Sequence, residues 1–415
     1  TRAAALPSVL RLRLAVLGCG AVGSAVVRLA LAKGVAHEVV GFDRDPERAR
    51  LYLSEAGDVP VERVEATDAE ALAGRLRGFD FVVNALPTFT IVGRREVPLN
   101  PIVMSAALKA GVNYLDMACY GGRRRAAEQL SLSRGFRDAG LLAVVNFGAS
   151  PGLSNVLARE VWEDLDRVER LRVVSVEDQR GSTFVIPWSR EEMLLSAAPA
   201  LAYRGGRYVW LEPFEESVTV EFPEPVGVHR CYTLANDESY TVPRFLRVGS
   251  YEYYAGGSDI EMLRALYRMG ILSGEPVLVG RARVRPRDLL YRILPPSPVP
   301  SEVLRVCEEG ELEDAYFAIE VLAEGEVSGE KVVSRRYVLF PSQRRVNELL
   351  PGATYITYPT ALCAVELLRV LQRGRLRGVL PGEALPRGVR RALLERLEAN
   401  GIIVNEEFEV ALAAG

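Results

Sequence analysis

The segment that most constrains the fold is LRLAVLGCGAVGSAVVRLALAKG, residues 12–34, in which an apolar run of strand length leads through a glycine turn into a helix-like run. Gly18, Gly20 and Gly23 have the spacing GxGxxG, and a second apolar run ends at Asp43. Such glycines let the backbone approach a pyrophosphate closely, and such an acid accepts hydrogen bonds from a ribose diol. The pattern predicts a dinucleotide site, with a glycine turn that serves packing alone as the alternative. A nicotinamide cofactor would narrow the chemistry to hydride transfer.

Ligands of an open parallel sheet bind beyond the carboxyl ends of its strands, so the residues at those ends are the predicted cofactor contacts. Asn84 to Pro87 are expected to face the ribose and nicotinamide half. Asp43 favours NAD because a carboxylate repels a 2′-phosphate, whereas Arg44 could pair with that phosphate, so NAD is favoured and NADP stays open. The predicted cofactor-binding residues are Gly18, Cys19, Gly20, Ala21, Val22, Gly23, Asp43, Arg44, Thr67, Asp68, Asn84, Ala85, Leu86, Pro87 and Ala118.

The pattern of strand-like and helix-like segments divides the chain into three parts. Up to about residue 146, single strands alternate with helices, with helices expected over 46–56, 68–76, 100–110 and 123–139, which predicts a doubly wound parallel sheet of the Rossmann type. From 171 to about 340 the pattern is mostly strand-like and predicts an inserted α+β domain built on a sheet. A strongly apolar helix over 357–374 needs a core and is expected to dock back on the first domain. The predicted domains are residues 1–150, 151–350 and 351–415.

Composition excludes several classes of function. The net charge is −3 and no basic stripe is visible, so nucleic acid is not an expected partner. The sequence has no apolar run long enough to span a membrane and no signal-peptide pattern, and its five cysteines are scattered, which together predict a cytoplasmic protein with reduced thiols. Two histidines exclude a multi-histidine metal site, and no metal is expected. Lysine catalysis has only Lys33, Lys109 and Lys331 as candidates.

The candidate catalytic residues are Tyr120 and Ser150, which follow two predicted strands. Tyr120 would hydrogen-bond near the reacting carbon or simply pack over the ring, and Ser150 would accept a proton or simply cap a helix. The candidate substrate-binding residues are Tyr120, Gly148, Trp188 and Arg244, with Arg244 the first choice for a substrate carboxylate. Asp237 and Glu238 could bind a substrate ammonium, but a solvated turn is the favoured interpretation.

Several segments, in order along nearly the whole chain, make this sequence resemble the saccharopine dehydrogenase family. They are the glycine fingerprint, FVVNALP, NYLDMACY, GASPGLSN, PWSREEMLLSAAPALAYRGGRYV, YTVPRF, RPRDLLYRIL and GRLRGVLPGE. The resemblance implies a Rossmann domain, an inserted sheet domain that often forms a dimer contact, and NAD(P)-linked oxidation of a carbon–nitrogen bond or the reverse imine reduction. It also implies a homodimer. Several saccharopine-forming members have Asp where Ser150 stands, a departure that favours a simpler amine.

The leading hypothesis is therefore an NAD(P)-dependent amino-acid dehydrogenase of the saccharopine or L-lysine type. One alternative is a cofactor-binding protein without this turnover, such as a redox sensor. The other is a polyamine enzyme of the homospermidine or carboxynorspermidine type, which additional acidic residues in the substrate pocket would favour.

Overall fold

The protein is described by a computed structural model that covers residues 12–92, 95–119, 122–372 and 374–410. Alternating strands and helices occupy the first third of the chain, as predicted. The strands are β1 (Leu12–Leu17), β2 (Ala36–Asp43), β3 (Val61–Arg63), β4 (Phe81–Asn84), β5 (Phe89–Val92), β6 (Arg95–Pro98), β7 (Asn113–Asp116) and β8 (Leu142–Val144). The helices are α1 (Ala21–Ala32), α2 (Pro46–Tyr52), α3 (Ala69–Leu76), α4 (Asn100–Ala110), α5 (Gly122–Ser131) and α6 (Ser133–Asp138), with a 3₁₀ turn at Ser54–Ala56.

A strand-rich region follows. Its strands are β9 (Arg167–Gly181), β10 (Ala200–Arg204), β11 (Arg207–Leu211), β12 (Ser217–Glu221), β13 (Val228–Thr233), β14 (Val248–Gly256), β15 (Val277–Val279), β16 (Ala282–Val284), β17 (Leu312–Val327) and β18 (Glu330–Leu339). Its helices are α7 (Leu153–Glu163), α8 (Arg190–Leu195), α9 (Glu238–Phe245), α10 (Ser258–Arg268), α11 (Pro286–Ile293), α12 (Pro300–Glu308) and α13 (Gln343–Leu349). The last part contains α14 (Thr357–Leu371), β19 (Gly378–Leu380), a 3₁₀ turn at Gly382–Ala384, α15 (Arg387–Glu398) and β20 (Val404–Val410).

The first sheet is parallel throughout, with the order β19-β8-β7-β4-β1-β2-β3. Alternate residues of β1 face opposite layers: Leu14 and Val16 pack in the core that contains α1 and α14, whereas Ala15 and Leu17 pack in the core of α3 and α4. The strand order reverses between β1 and β4, which is the point where such sheets bind ligands. The predicted doubly wound Rossmann fold is confirmed.

The second sheet has nine strands and mixed direction. Its main path is β11-β10-β14-β9-β17-β18-β20, and β12 and β13 extend it from β14. The segments YFAIEVLAEGE and VVSRRYVLF, which a charged turn separates, predict a hairpin, and β17 and β18 form it. The structure therefore contains a separate mixed sheet beside the parallel one, which confirms the predicted fold class.

Several predicted elements have different boundaries. The helix expected over 123–139 is two helices, because the Ser131 hydroxyl bonds to the Glu128 carbonyl oxygen at 2.6 Å and competes with the backbone at the break. The segment VERVEAT predicts a short strand over 61–67, but the strand stops at Arg63, and the helix expected over 46–56 stops at Tyr52. The β5–β6 hairpin and β19 were not predicted, since both are short and their pairing is set by the surrounding fold.

Candidate active site

The glycine turn has the geometry of a nucleotide cradle. Gly18 has φ +82°, and a Cβ on Gly23 would lie 1.8 Å from the Gly18 carbonyl oxygen, so both positions require glycine. At Gly20, the N-cap of α1, a Cβ would meet nothing within 4 Å. Two glycines thus close the turn, and the third leaves open space at the helix N-terminus, which fits a pyrophosphate.

Asp43 lies beside this turn at the end of β2. One carboxylate oxygen accepts the Cys19 N–H at 2.9 Å, and the other accepts the Asp45 N–H at 3.0 Å. The side chain is only partly buried, so it retains lone pairs for a ribose diol. Arg44 is exposed.

The other predicted residues near the adenosine end have local roles. Asp68 is exposed and caps α3 by accepting the Glu70 and Ala71 N–H groups, each at 3.0 Å. Thr67 is partly exposed and donates to Glu65 at 3.3 Å. Cys19 is fully buried, and burial raises the pKa of its thiol to about 12. A cysteine with such a thiol contributes its backbone to a site and not its sulfur.

The residue that ends β4, Asn84, is buried and holds the following loop. Its side-chain oxygen accepts the Leu86 N–H at 3.2 Å, and its side-chain nitrogen donates to the Tyr114 hydroxyl at 3.0 Å. Ala85 and Leu86 are partly exposed and Pro87 is exposed, so the loop residues, and not the Asn84 side chain, have surface at this edge.

Asp116 ends β7 and accepts four hydrogen bonds inside the protein. The donors are the Tyr114 hydroxyl at 2.7 Å, the side-chain amides of Asn100 at 3.0 Å and Gln129 at 2.5 Å, and the Asn146 N–H at 2.6 Å. Burial raises the pKa of Asp116 to about 7. Asn100 also donates to the Ala118 carbonyl oxygen at 2.7 Å, so this network fixes the start of the loop that follows β7. Asp116 acts as a structural acceptor.

The loop from Gly148 to Gly152 follows β8. A Cβ on Gly148 would lie 2.7 Å from the Thr360 methyl carbon, so its lack of a side chain serves the packing of α14. Ser150 is half-buried, and its hydroxyl donates to Glu238 at 3.1 Å. The predicted catalytic serine is therefore in contact with a carboxyl group from the second domain.

Glu238 and Glu192 are buried carboxyl groups. In the sequence analysis, Glu238 is weighed as a ligand for a substrate ammonium and Glu192 is not considered. Glu238 is fully buried on α9, and Glu192 is 5% exposed on α8. Burial raises the pKa of each to about 7. Glu192 accepts the Thr88 N–H at 2.7 Å and the Thr88 hydroxyl. In the described part of the chain, neither carboxylate forms an ion pair with Lys or Arg.

The expectation that Asp237 and Glu238 form a solvated turn is wrong. Asp237 is 6% exposed, and its carboxylate accepts the Cys119 N–H at 2.8 Å. The polar segment NDESYT is typical of a solvated loop, but α9 packs against β14, β10 and α5, and its start contacts the loops that follow β7 and β8. Only the tertiary packing distinguishes these two environments.

A cavity of about 480 Å³ lies between the domain of the parallel sheet and the domain of the mixed sheet. This volume suits a small substrate. The β5–β6 hairpin and α5 form one side, and β10, β11 and the segment before α9 form the other. Trp210 of β11 reaches across, since a Cβ on Gly122 would lie 3.1 Å from its ring. The charged residues that line the cavity are Glu96, Arg125, Glu212 and Asp237. Arg125 pairs with Glu96, and this face is acidic overall.

The remaining predicted substrate residues lie in different places. Tyr120 lies outside the described residues. Trp188 is partly buried, and its indole N–H faces the Glu177 carboxylate. Arg244 is exposed near the end of α9 and is not among the residues that line the cavity. Among the described residues, Arg125 is the cation that lines the cavity. Among the described residues no cluster of His, Cys, Asp and Glu could hold a metal ion, and no helix is long and apolar enough to cross a membrane.

The fold and the cradle define a two-domain nucleotide-binding protein. Residues 14–144 match the family model described as the saccharopine dehydrogenase NADP binding domain. This match confirms the resemblance to the saccharopine dehydrogenase family over the first domain and supports the predicted nicotinamide cofactor.

Two characterised relatives share about a quarter of their aligned residues with this chain. The carboxynorspermidine synthase of Vibrio alginolyticus is 25% identical over 248 residues, which are 56% of this chain and 58% of the relative. The carboxyaminopropylagmatine dehydrogenase of Synechocystis is 24% identical over 302 residues, which are 68% of this chain and 71% of the relative. The chain thus aligns with less than two thirds of the first relative.

Two solved structures share the fold over nearly the whole chain. The L-Glu-forming saccharopine dehydrogenase of Saccharomyces cerevisiae has a TM-score of 0.66 and 14% identity, and the match covers 96% of this chain and 100% of that one. The homospermidine synthase of Legionella pneumophila, in complex with NAD, has a TM-score of 0.67 and 13% identity, with 97% and 92% covered. At this identity the likeness shows the fold.

Proposed function

We propose that this protein is an NAD(P)-dependent oxidoreductase that acts on the carbon–nitrogen bond of a secondary amine, one substituent of which is a di- or polyamine chain and the other a carbon chain with a carboxylate. Hydride transfer between such an amine and the cofactor interconverts the amine and an imine. Water then releases a free amine and a carbonyl compound from the imine.

The observation that carries this proposal is the charge of the interdomain cavity. Glu96, Glu212 and Asp237 contribute three carboxylates to its lining, against the single guanidinium of Arg125. A cleft with an excess of one sign of charge concentrates ligands of the opposite sign. Amines of this class carry several ammonium groups, so they match the cavity better than saccharopine, which has three carboxylates.

Arg125 is suited to the single carboxylate of such a substrate. Its side chain is 15% exposed and is the one cation that lines the cavity among the described residues. Guanidinium groups bind carboxylates through two parallel hydrogen bonds. L-Lysine also has one carboxylate and two ammonium groups, so lysine dehydrogenation remains the second candidate for the same cavity.

Two relatives support the polyamine assignment by name, since one is a carboxynorspermidine synthase and the other a carboxyaminopropylagmatine dehydrogenase. Both names describe an amine that carries a carboxylated carbon chain. The carboxylate of Asp43 favours NAD over NADP as the cofactor, because it would repel a 2′-phosphate. We further propose that the protein acts as a homodimer in the cytoplasm.

The test is a substrate panel with the purified full chain. Reduction is followed as loss of NADH or NADPH absorbance with an amino-acid aldehyde and 1,3-diaminopropane, putrescine or agmatine, and oxidation is followed with saccharopine and L-lysine. We expect turnover with a diamine. Turnover with saccharopine alone would overturn the polyamine assignment, and cofactor binding without turnover on any amine would favour a sensor.

The variant Glu212→Gln tests the role of the acidic lining. We expect it to raise the KM for the diamine by about tenfold, which is about 1.4 kcal/mol of binding, with little change in the affinity for NADH. Glu221→Gln is the matched control, since Glu221 is an exposed glutamate of the same domain on β12. An equal effect of both variants would contradict a specific role for Glu212.

A further inference from the structure

We propose that Glu238, acting through the Ser150 hydroxyl, takes up and returns the proton that is exchanged when the substrate amine is oxidised or the imine is reduced. This inference rests on the proposed function, because it assigns a proton path to that reaction. It makes Glu238 a positioning and proton-storing residue, since Ser150 and not Glu238 would touch the substrate nitrogen.

The geometry places the serine between the carboxyl group and the edge of the first sheet. Ser150 is half-buried in the loop after β8, where the parallel strands end, whereas Glu238 is fully buried behind it. The Ser150 hydroxyl donates to Oε1 of Glu238 at 3.1 Å. Ser150 keeps part of its surface exposed and Glu238 does not, so a proton can reach Glu238 by moving through one hydroxyl group.

The partners of Glu238 suit a carboxyl group that changes its protonation state. Besides Ser150, its neighbours are hydroxyls: Ser154 bonds to Oε1, and Tyr251 donates to Oε2 at 3.0 Å. A hydroxyl donates to a carboxylate and can turn to accept from a carboxylic acid. A Lys or Arg partner would hold the group ionised, and none pairs with Glu238 in the described part of the chain.

The charges around Glu238 set its titration. Burial, the largest effect, and the nearby Glu383 carboxylate raise its pKa, whereas the hydroxyls of Ser154, Tyr251 and Ser150 lower it, and the net result is a pKa of about 7. Tyr253 of β14 faces the same group. A proton acceptor is most effective when its pKa lies near the working pH, so both states are accessible near neutrality.

Oxidation of the substrate amine conserves protons and electrons. The substrate's secondary ammonium gives one proton to Oγ of Ser150 while the Ser150 proton moves to Oε1 of Glu238, so the carboxylate becomes a carboxylic acid and the serine is unchanged. The neutral amine then loses hydride from the adjacent carbon to the nicotinamide and becomes an iminium ion. Reduction is the reverse, with Glu238 returning the proton to the nitrogen through Ser150.

The test compares the pH dependence of kcat/KM for amine oxidation in four proteins: wild type, Glu238→Gln, Ser150→Ala and Glu383→Gln. In the wild type we expect a rise through about pH 7, as Glu238 becomes a carboxylate. Glu238→Gln and Ser150→Ala should each lower the plateau by about 100-fold and remove this rise. The double variant should be no worse than either single one, because the two groups act as a unit.

Glu383→Gln is the matched control. Glu383 is as deeply buried as Glu238, and burial raises its pKa to about 7, but its carboxylate accepts from Asn155 at 2.9 Å and does not contact Ser150. Removing its charge lowers the pKa of Glu238, so the rise should remain and move to lower pH. If Glu238 had a purely structural role, the rise would not disappear in Glu238→Gln and move to lower pH in Glu383→Gln.

Melting temperature and NADH affinity, measured for every variant, separate misfolding from loss of the relay. If Glu238→Gln does not fold, Ser150→Ala decides the question. An unchanged pH profile in a folded Glu238→Gln or Ser150→Ala protein overturns the relay and leaves the proposed function intact. Absence of wild-type turnover on every amine overturns the proposed function instead.

Discussion

At the scale of single residues, the three glycines of the nucleotide turn have different neighbours and hence different roles. Gly18 has a positive φ and lies against the Ala85 backbone, and Gly23 lies against the Gly18 carbonyl oxygen. Gly20 has ordinary φ −79° and open space around it. The spacing GxGxxG alone does not tell these roles apart.

Gly23→Ala and Gly20→Ala are therefore expected to fail in different ways. A Cβ at position 23 would lie 1.8 Å from a backbone oxygen, so the variant should lose on the order of 3 kcal/mol of unfolding free energy. A Cβ at position 20 meets no protein atom, so stability should stay within about 0.5 kcal/mol, while NADH affinity falls by about tenfold or more. Thermal unfolding and NADH fluorescence titration check both, and strong NADH binding by Gly20→Ala would contradict a pyrophosphate at this position.

At the scale of elements, α14 connects the end of the chain to the first domain. It packs against α1, and Arg369 donates to the Lys33 carbonyl oxygen at 2.5 Å. On its other side, Thr360 fits against the bare Cα of Gly148 in the loop that carries Ser150. The packing of this helix thus bears directly on the position of the candidate catalytic loop.

We expect Gly148→Ala to destabilise the protein by about 1–3 kcal/mol, because its Cβ would lie 2.7 Å from the Thr360 methyl carbon. Thr360→Ser removes that methyl group and should recover most of the loss in the double variant. Chemical denaturation of the wild type, both single variants and the double variant gives the coupling energy. Additive losses would show that the two residues do not constrain each other.

At the scale of the whole molecule, buried carboxyl groups dominate the electrostatics of the interior. Burial raises the pKa of Asp116, Glu192, Glu238, Asp259 and Glu383 to about 7, and that of Glu177 to about 8, with repulsion from Asp259 adding to the effect. In the unfolded chain such groups titrate near pH 4. Between these values the folded protein therefore binds more protons than the unfolded chain.

The protein should consequently become less stable as the pH rises from about 5 to about 8, and its stability should level off once these carboxyl groups are ionised in both states. Thermal unfolding across this range is the measurement, and Asp259→Asn should make the dependence shallower. Exposed pairs such as Arg13–Glu38, which lower the pKa of the carboxylate, act below this range and do not obscure it. A melting temperature that rises steadily with pH would contradict the prediction.

The sequence by itself determined the local features that depend on neighbours along the chain. The glycine turn, the acid at the end of β2, the strand and helix alternation and the β17–β18 hairpin all follow from spacing and hydrophobic period, which act over a few residues. The limits of α4 were predicted to the residue, because Gly111 adopts the left-handed conformation that ends it.

Only the tertiary structure decided which of the polar residues surround the candidate site. Glu238 lies in a polar segment typical of a solvated turn, but α9 packs against β14, β10 and α5, and the resulting burial of the Glu238 carboxyl group raises its pKa. No local sequence feature distinguishes Arg125 from Arg244, yet of the two only Arg125 lines the cavity. Contacts between Ser150 and Glu238, 88 positions apart, depend on how two domains meet, and no local pattern contains that information.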